Sequence, residues 1–133
     1  MTVLASLLAP IFLLFHIVGP LPTDLGVKDG ELNACKTSAH CTRQTWESTS
    51  PQEDFNRLTS LVEESPRTVV VEQSALYLHA EASSAFFGFV GNLELLANLS
   101  QNQIQARSES RLGDSDLGVN AERLAGLRSA LQH

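Results

Sequence analysis

One stretch constrains this chain more than any other: Ser74 to Leu99, SALYLHAEASSAFFGFVGNLELLANL. Within it Leu78, Ala82, Ala85, Phe89, Leu93 and Leu96 recur at spacings of 4, 3, 4, 4 and 3. Those spacings place all six on one face of an α-helix. Leu76, Phe86, Phe87, Val90 and Leu95 widen the stripe beyond a narrow seam, as in a helix covered on more than one side. The sequence therefore predicts a long buried helix that needs neighbouring helices. Gly88 and Gly91 interrupt it, each costing about 1 kcal/mol relative to Ala, which points to a kink or a close helix approach.

Two neighbours are legible. Ser50-Pro51-Gln52-Glu53 carries a cap, a first-position proline and a reciprocal Glu, and Phe55, Leu58, Leu61 and Val62 follow at helical spacing. Pro66 stops this helix near Glu64 or Ser65. A last helix begins at about Asp116 or Asn120, striped by Leu117, Ala121, Leu124, Leu127 and Leu131. Val69-Val70-Val71 has strand propensity. Without a second strand candidate it reads as the approach to the central helix. Residues 20–34 read as an extended leader, and the polar residues 101–115 as a long surface connection.

The N-terminus sets the compartment. Val3 to Val18 are sixteen nearly apolar residues followed by Gly19-Pro20-Leu21-Pro22, short for a membrane span and the length of a signal-peptide core. Residues 1–22 are assigned as a secretory signal peptide and 23–133 as one helical domain. An uncleaved anchor and a buried helix of the fold are the alternatives. The mature chain is expected to be extracellular, with no membrane span. In an oxidising compartment Cys35 and Cys41 can pair. A straight helix would hold them about 9 Å apart, so pairing needs a turn or extended chain. A bond to another molecule and two free thiols stay open.

The net charge of −6 over 133 residues excludes an evident nucleic-acid partner. No nucleophile elbow, phosphate loop or placed carboxylate pair occurs, so no enzyme activity and no cofactor are expected. Cys35, His40 and Cys41 lack a fourth ligand and make poor zinc spacing. His79 reads as a hydrogen-bonded helix histidine. Asn98-Leu99-Ser100 is a glycosylation sequon at a helix end.

Met1, Val3-Leu4-Ala5, Pro10, the Leu/Phe run, His16, Gly19, Pro20-Leu21-Pro22, Asn33 before Cys35, and His40-Cys41 follow one another in an order that resembles the start of interleukin-6-type four-helix cytokines, the leukaemia inhibitory factor group above all. Ser74-Ala75-Leu76-Tyr77-Leu78-His79 is similar to the opening of that family's third helix. The resemblance implies an all-α, up-up-down-down four-helix bundle, its first helix missing or degraded after Trp46. It implies a secreted growth factor that bridges a specific cell-surface receptor chain and a shared signal-transducing subunit. Trp46, Phe55 and Arg123 are then the candidate receptor contacts, since aromatic and Arg side chains dominate such interfaces. The rival expectation is a secreted amphipathic-helix carrier of lipid or an apolar ligand, motivated by the width of the apolar surface at residues 75–99.

Overall fold

The computed structural model describes residues 19–84, 89–112 and 116–131. Its centre is an antiparallel sheet. The elements run β1 (Val27–Lys28), β2 (Glu31–Leu32), β3 (Cys41–Glu47), α1 (Pro51–Glu64), β4 (Thr68–Gln73), β5 (Tyr77–Ser83), β6 (Val90–Asn98), β7 (Gln103–Ser110) and α2 (Val119–Ser129). Five strands pair in the order β3-β7-β6-β5-β4. Helix α1 carries the chain from one edge strand to the other. Strands β4 to β7 then walk back as a meander until β7 lies beside β3. β1 and β2 form a separate hairpin closed at Asp29-Gly30, both with positive φ, the turn chemistry that Asp-Gly favours.

Strand alternation divides the sheet into two faces. One face carries Trp46, Leu78, Ala80, Leu93, Leu95, Ala97, Ile104 and Ala106, which share a core with Phe55, Leu58 and Val62 of α1 and Leu124 and Leu127 of α2. Both helices therefore cover this face. Leu58, Leu95 and Leu124 are wholly buried, each worth about 1.5–3 kcal/mol against exposure. The opposite face carries Tyr77, His79, Asn92, Glu94, Leu96, Gln105, Arg107 and Glu109, all buried. Residues 24–35, including the β1–β2 hairpin, strap across it, and Leu32 packs with Tyr77 and Leu96.

The expected all-α bundle is therefore replaced by a sheet with two helices, and the long helix at Ser74–Leu99 by β5 and β6. The helical stripe was ambiguous. Leu78, Ala80 and Ala82, like Leu93, Leu95 and Ala97, also fit a period of two, and a dense apolar run satisfies both templates. Tertiary pairing decided between them: Ala80 lies opposite Leu93, and Leu78 opposite Leu95. Val69-Val70-Val71 belongs to β4, with a register shift between Val70 and Glu72. Residues 103–110 are no surface connection but β7, between β3 and β6 and largely buried. The helix predicted after Ser50 forms over Pro51–Glu64, with Pro51 in the first turn, though Ser50 makes no side-chain cap bond. Residues 1–18 of the signal segment, and Ala85, Phe86, Phe87 and Gly88, lie outside the described residues.

Candidate functional site

Two polar constellations stand back to back across the sheet. On the strap side Arg107 is central. Its Nη2 donates to Asp24 Oδ2 (2.6 Å) and Glu109 Oε2 (3.2 Å), and its Nη1 to Glu94 Oε1 (3.4 Å). Glu94 Oε2 accepts from the Tyr77 hydroxyl and from the Gly26 backbone N–H, both at 2.7 Å. Gln105 Oε1 accepts from Leu32 N (2.9 Å) and from Arg43 Nη2 (3.0 Å). Burial, and next the Glu94 carboxylate, push the Tyr77 phenol far above its ordinary value. Burial pushes the Glu109 carboxyl up, against the opposing charge of Arg107. Further along, His79 Nε2 pairs with Asn92 Oδ1 (2.8 Å), and Arg111 Nη2 donates to that oxygen (3.0 Å) and to Glu81 Oε1 (2.7 Å).

Most of these bonds join the strap to the sheet or one strand to its neighbour. Asp24 Oδ1, Arg107 Nε, Glu109 Oε1, Asn92 Nδ2 and Arg111 Nε are buried without a protein partner, and ordered water is the usual partner for such atoms. The constellation therefore reads as a clamp that closes residues 24–35 onto the sheet.

The second constellation is different in kind. Ser108 and Ser110 project from β7 toward α2, because β7 alternates and Glu109 takes the other side. Asp116, Asn120 and Arg123 follow at spacings of 4 and 3, one face of a helix start. Asn120 is wholly buried. Its Nδ2 lies 2.7 Å from Asp116 Oδ2, 2.9 Å from Ser110 Oγ and 3.1 Å from the His40 carbonyl. Its Oδ1 accepts from Ser108 Oγ (2.7 Å) and from Arg123 Nη1 (3.1 Å). Arg123 Nη1 also donates to Ser108 Oγ (2.8 Å).

Arg123 thus has its Nη1 fixed by two buried side chains. Among the described residues no carboxylate forms an ion pair with it. Burial pushes its pKa down while the charge of Asp116 opposes, yet a guanidinium stays protonated. Burial alone would raise Asp116, but hydrogen bonds from the Asn120 side chain and the Gly118 and Asn120 N–H groups hold it below its usual range. Two cavities meet at Arg123. One, of about 440 Å³, lies between α1 and α2 and is lined by Leu61, Val62, Arg67, Leu93, Glu122 and Leu127 among others. The other, of about 310 Å³, is lined by Val90, Gly91, Leu112, Val119 and neighbours. A Cβ at Gly91 would stand 3.0 Å from the Glu109 carbonyl and 3.7 Å from Arg123 Nη1, so glycine keeps that wall open.

Of the residues singled out in the sequence, only Arg123 belongs to this site. Trp46 and Phe55 are 3% and 1% exposed and serve the core, which removes them as contacts for any partner. Cys35 and Cys41 form a disulfide: their Cα atoms lie 5.7 Å apart across a separation of six, because the chain bends back between them before it enters β3. Asn98 ends a strand rather than a helix, and its Oδ1 accepts from Ser100 Oγ (3.0 Å) and Gln101 N (3.2 Å). His79 is on β5, not on a helix. His40 has a buried Nδ1 without a protein partner, and Cys41 is committed to sulfur. Among the described residues no group of His, Cys, Asp and Glu is placed to hold a metal. Sequence reasoning missed Ser108, Ser110, Asp116 and Asn120. Their signal was the Asp-Asn-Arg spacing with an alternating serine pair before it, hidden because residues 101–115 read as a loop.

Fold and site together define a two-layer domain: a strapped antiparallel sheet with two helices flanking a fixed arginine. A match to the family described as Protein of unknown function (DUF1499) spans residues 25–131, and the chain belongs to that family. No curated protein matches the sequence. The family and the sheet together overturn the cytokine resemblance, and with it the growth-factor function. They leave the amphipathic-helix carrier without support as well, because the described residues of 75–99 are built mostly into strands β5 and β6 and form no helix. The receptor chains followed from the cytokine reading alone and are not carried forward.

Proposed function

We propose that the chain is an exported, non-catalytic binding domain that holds a small oxyanion, a carboxylate or a phosphate, in the cleft between α1 and α2. The observation that carries this reading is the Arg123 guanidinium, preset by Ser108 and Asn120 and, among the described residues, in no ion pair with a carboxylate. Preset planar donors match carboxylate and phosphate geometry. Arg67 lines the same cleft with one opposing carboxylate, Glu122. Arg67 itself has φ 54°, a conformation that non-glycine residues hold at a cost and that often accompanies function. A binding role rather than catalysis fits the buried acids Glu94 and Glu109, which are turned to the strap clamp instead of this cleft. Export fits the apolar Val3–Val18 segment and the disulfide.

Thermal melts with inorganic phosphate or acetate, against sodium chloride at equal ionic strength, test the reading. A bound ligand stabilises by RT ln(1 + [L]/Kd), so the Tm of the wild type should climb with one of these anions. Arg123→Gln should abolish the climb and Arg67→Ala should weaken it. A wild type indifferent to both anions, or an Arg123→Gln variant that responds equally, would overturn the proposal.

A further inference from the structure

Where the chain leaves the described fold at its N-terminal end, the surface is apolar. Gly19 lies so close to Leu112 that a Cβ there would fall 2.6 Å from Leu112 Cγ. Leu112 shares the rim of the 310 Å³ cavity with Phe89, Leu117 and Val119. These four side chains are 42%, 42%, 90% and 43% exposed respectively. Leu117 has φ 53° and precedes Gly118 at φ 84°, with Gly118 N bonded to Asp116 Oδ1 at 2.8 Å. A leucine in left-handed backbone is costly, and here that backbone thrusts its side chain outward.

We infer that this patch rests on a bilayer surface, with the Val3–Val18 segment retained as the anchor beside it. Three observations converge. The apolar segment ends one residue before Gly19, so chain connectivity puts any membrane that holds it within a few ångströms of Leu112. The sixteen residues Val3–Val18 are fewer than the roughly 20 apolar residues that a membrane-spanning helix needs. A short hydrophobic segment is accommodated by local thinning of the bilayer, which brings the boundary toward the residues that flank it; Gly19 is the first of these described, and it lies against Leu112 on the rim that the four side chains share. No described helix is long and apolar enough to cross a membrane. The inference stands on the patch and the chain exit, independently of the oxyanion cleft.

Depth-dependent quenching of tryptophan tests it. The full chain, leader retained, is reconstituted into phosphatidylcholine vesicles with brominated acyl chains. The only native tryptophan, Trp46, is buried in the core and supplies the baseline. Leu117→Trp should be quenched several-fold more than wild type. Leu99→Trp, in the β6–β7 turn at the far end of the sheet, should match wild type. Equal quenching of the two variants overturns the inference. So does a chain that fails to float with vesicles. A Leu117→Trp emission already shifted to the blue without vesicles and untouched by bromine also overturns it, since the patch would then be covered by the leader or by a second copy.

Discussion

Glu109 is the residue whose ionisation most directly opposes the fold. Its carboxyl is buried, and burial lifts its pKa despite the adjacent Arg107. The folded state then holds the proton more tightly than the unfolded chain. The resulting stabilisation is complete below the unfolded value, about 4.3, and is lost as pH rises through the folded value. Glu109→Gln keeps an acceptor for Arg107 and cannot ionise. Urea midpoints from pH 4 to 8 should therefore fall less steeply for this variant, which becomes the more stable protein at neutral pH. Parallel pH profiles for the two proteins would show that Glu109 is not the group responsible. Asn120 makes the opposite case. Asn120→Ala strands the buried Ser108 hydroxyl and removes one of the two acceptors of Arg123 Nη1, at a cost of about 3 kcal/mol. A loss under about 1 kcal/mol by urea unfolding would mean that α2 does not depend on this contact set.

The strap is the element held least by hydrophobic burial and most by chosen bonds. The Cys35–Cys41 disulfide ties its end to β3 across a separation of six. Such a small loop contributes about 2 kcal/mol by limiting the unfolded chain. Replacing both cysteines with serine should cost about that much and leave the far-ultraviolet dichroism unchanged. Amide exchange at Gly26 and Leu32, bonded to Glu94 and Gln105, should quicken. Unchanged protection at those two amides would mean that the clamp alone fixes the strap. These elements differ in how far the sequence exposes them. Helix α1 is plain because proline, caps and an amphipathic stripe are local signals. β7 is hidden because both of its faces are buried and one is polar: Ile104 and Ala106 alternate with Gln105 and Arg107, so its hydrophobicity averages to that of a loop. Arg123 was legible as a contact residue, but its setting required β7 and was not.

At the scale of the whole molecule the sheet closes late along the chain. β3 is made early in the sequence, yet among the described residues its one partner in the sheet is β7, with Cys41 opposite Glu109 and Glu47 opposite Gln103. Closing that pair brings together segments separated by α1 and three strands, and contacts so distant in sequence slow folding. Trp46 sits in β3 opposite Ile104 and donates its indole N–H to Gln44 at 2.8 Å, so its fluorescence reports that closure. One core joins both helices to the sheet, which favours all-or-none unfolding. Urea curves from Trp46 emission and from far-ultraviolet dichroism should therefore coincide. Refolding followed at Trp46 should take about milliseconds to seconds, the range of sheets rich in non-local pairs. Recovery of the Trp46 signal within microseconds would require contacts mostly local in sequence, as in a helical bundle, and would be incompatible with β3 joining the sheet through β7.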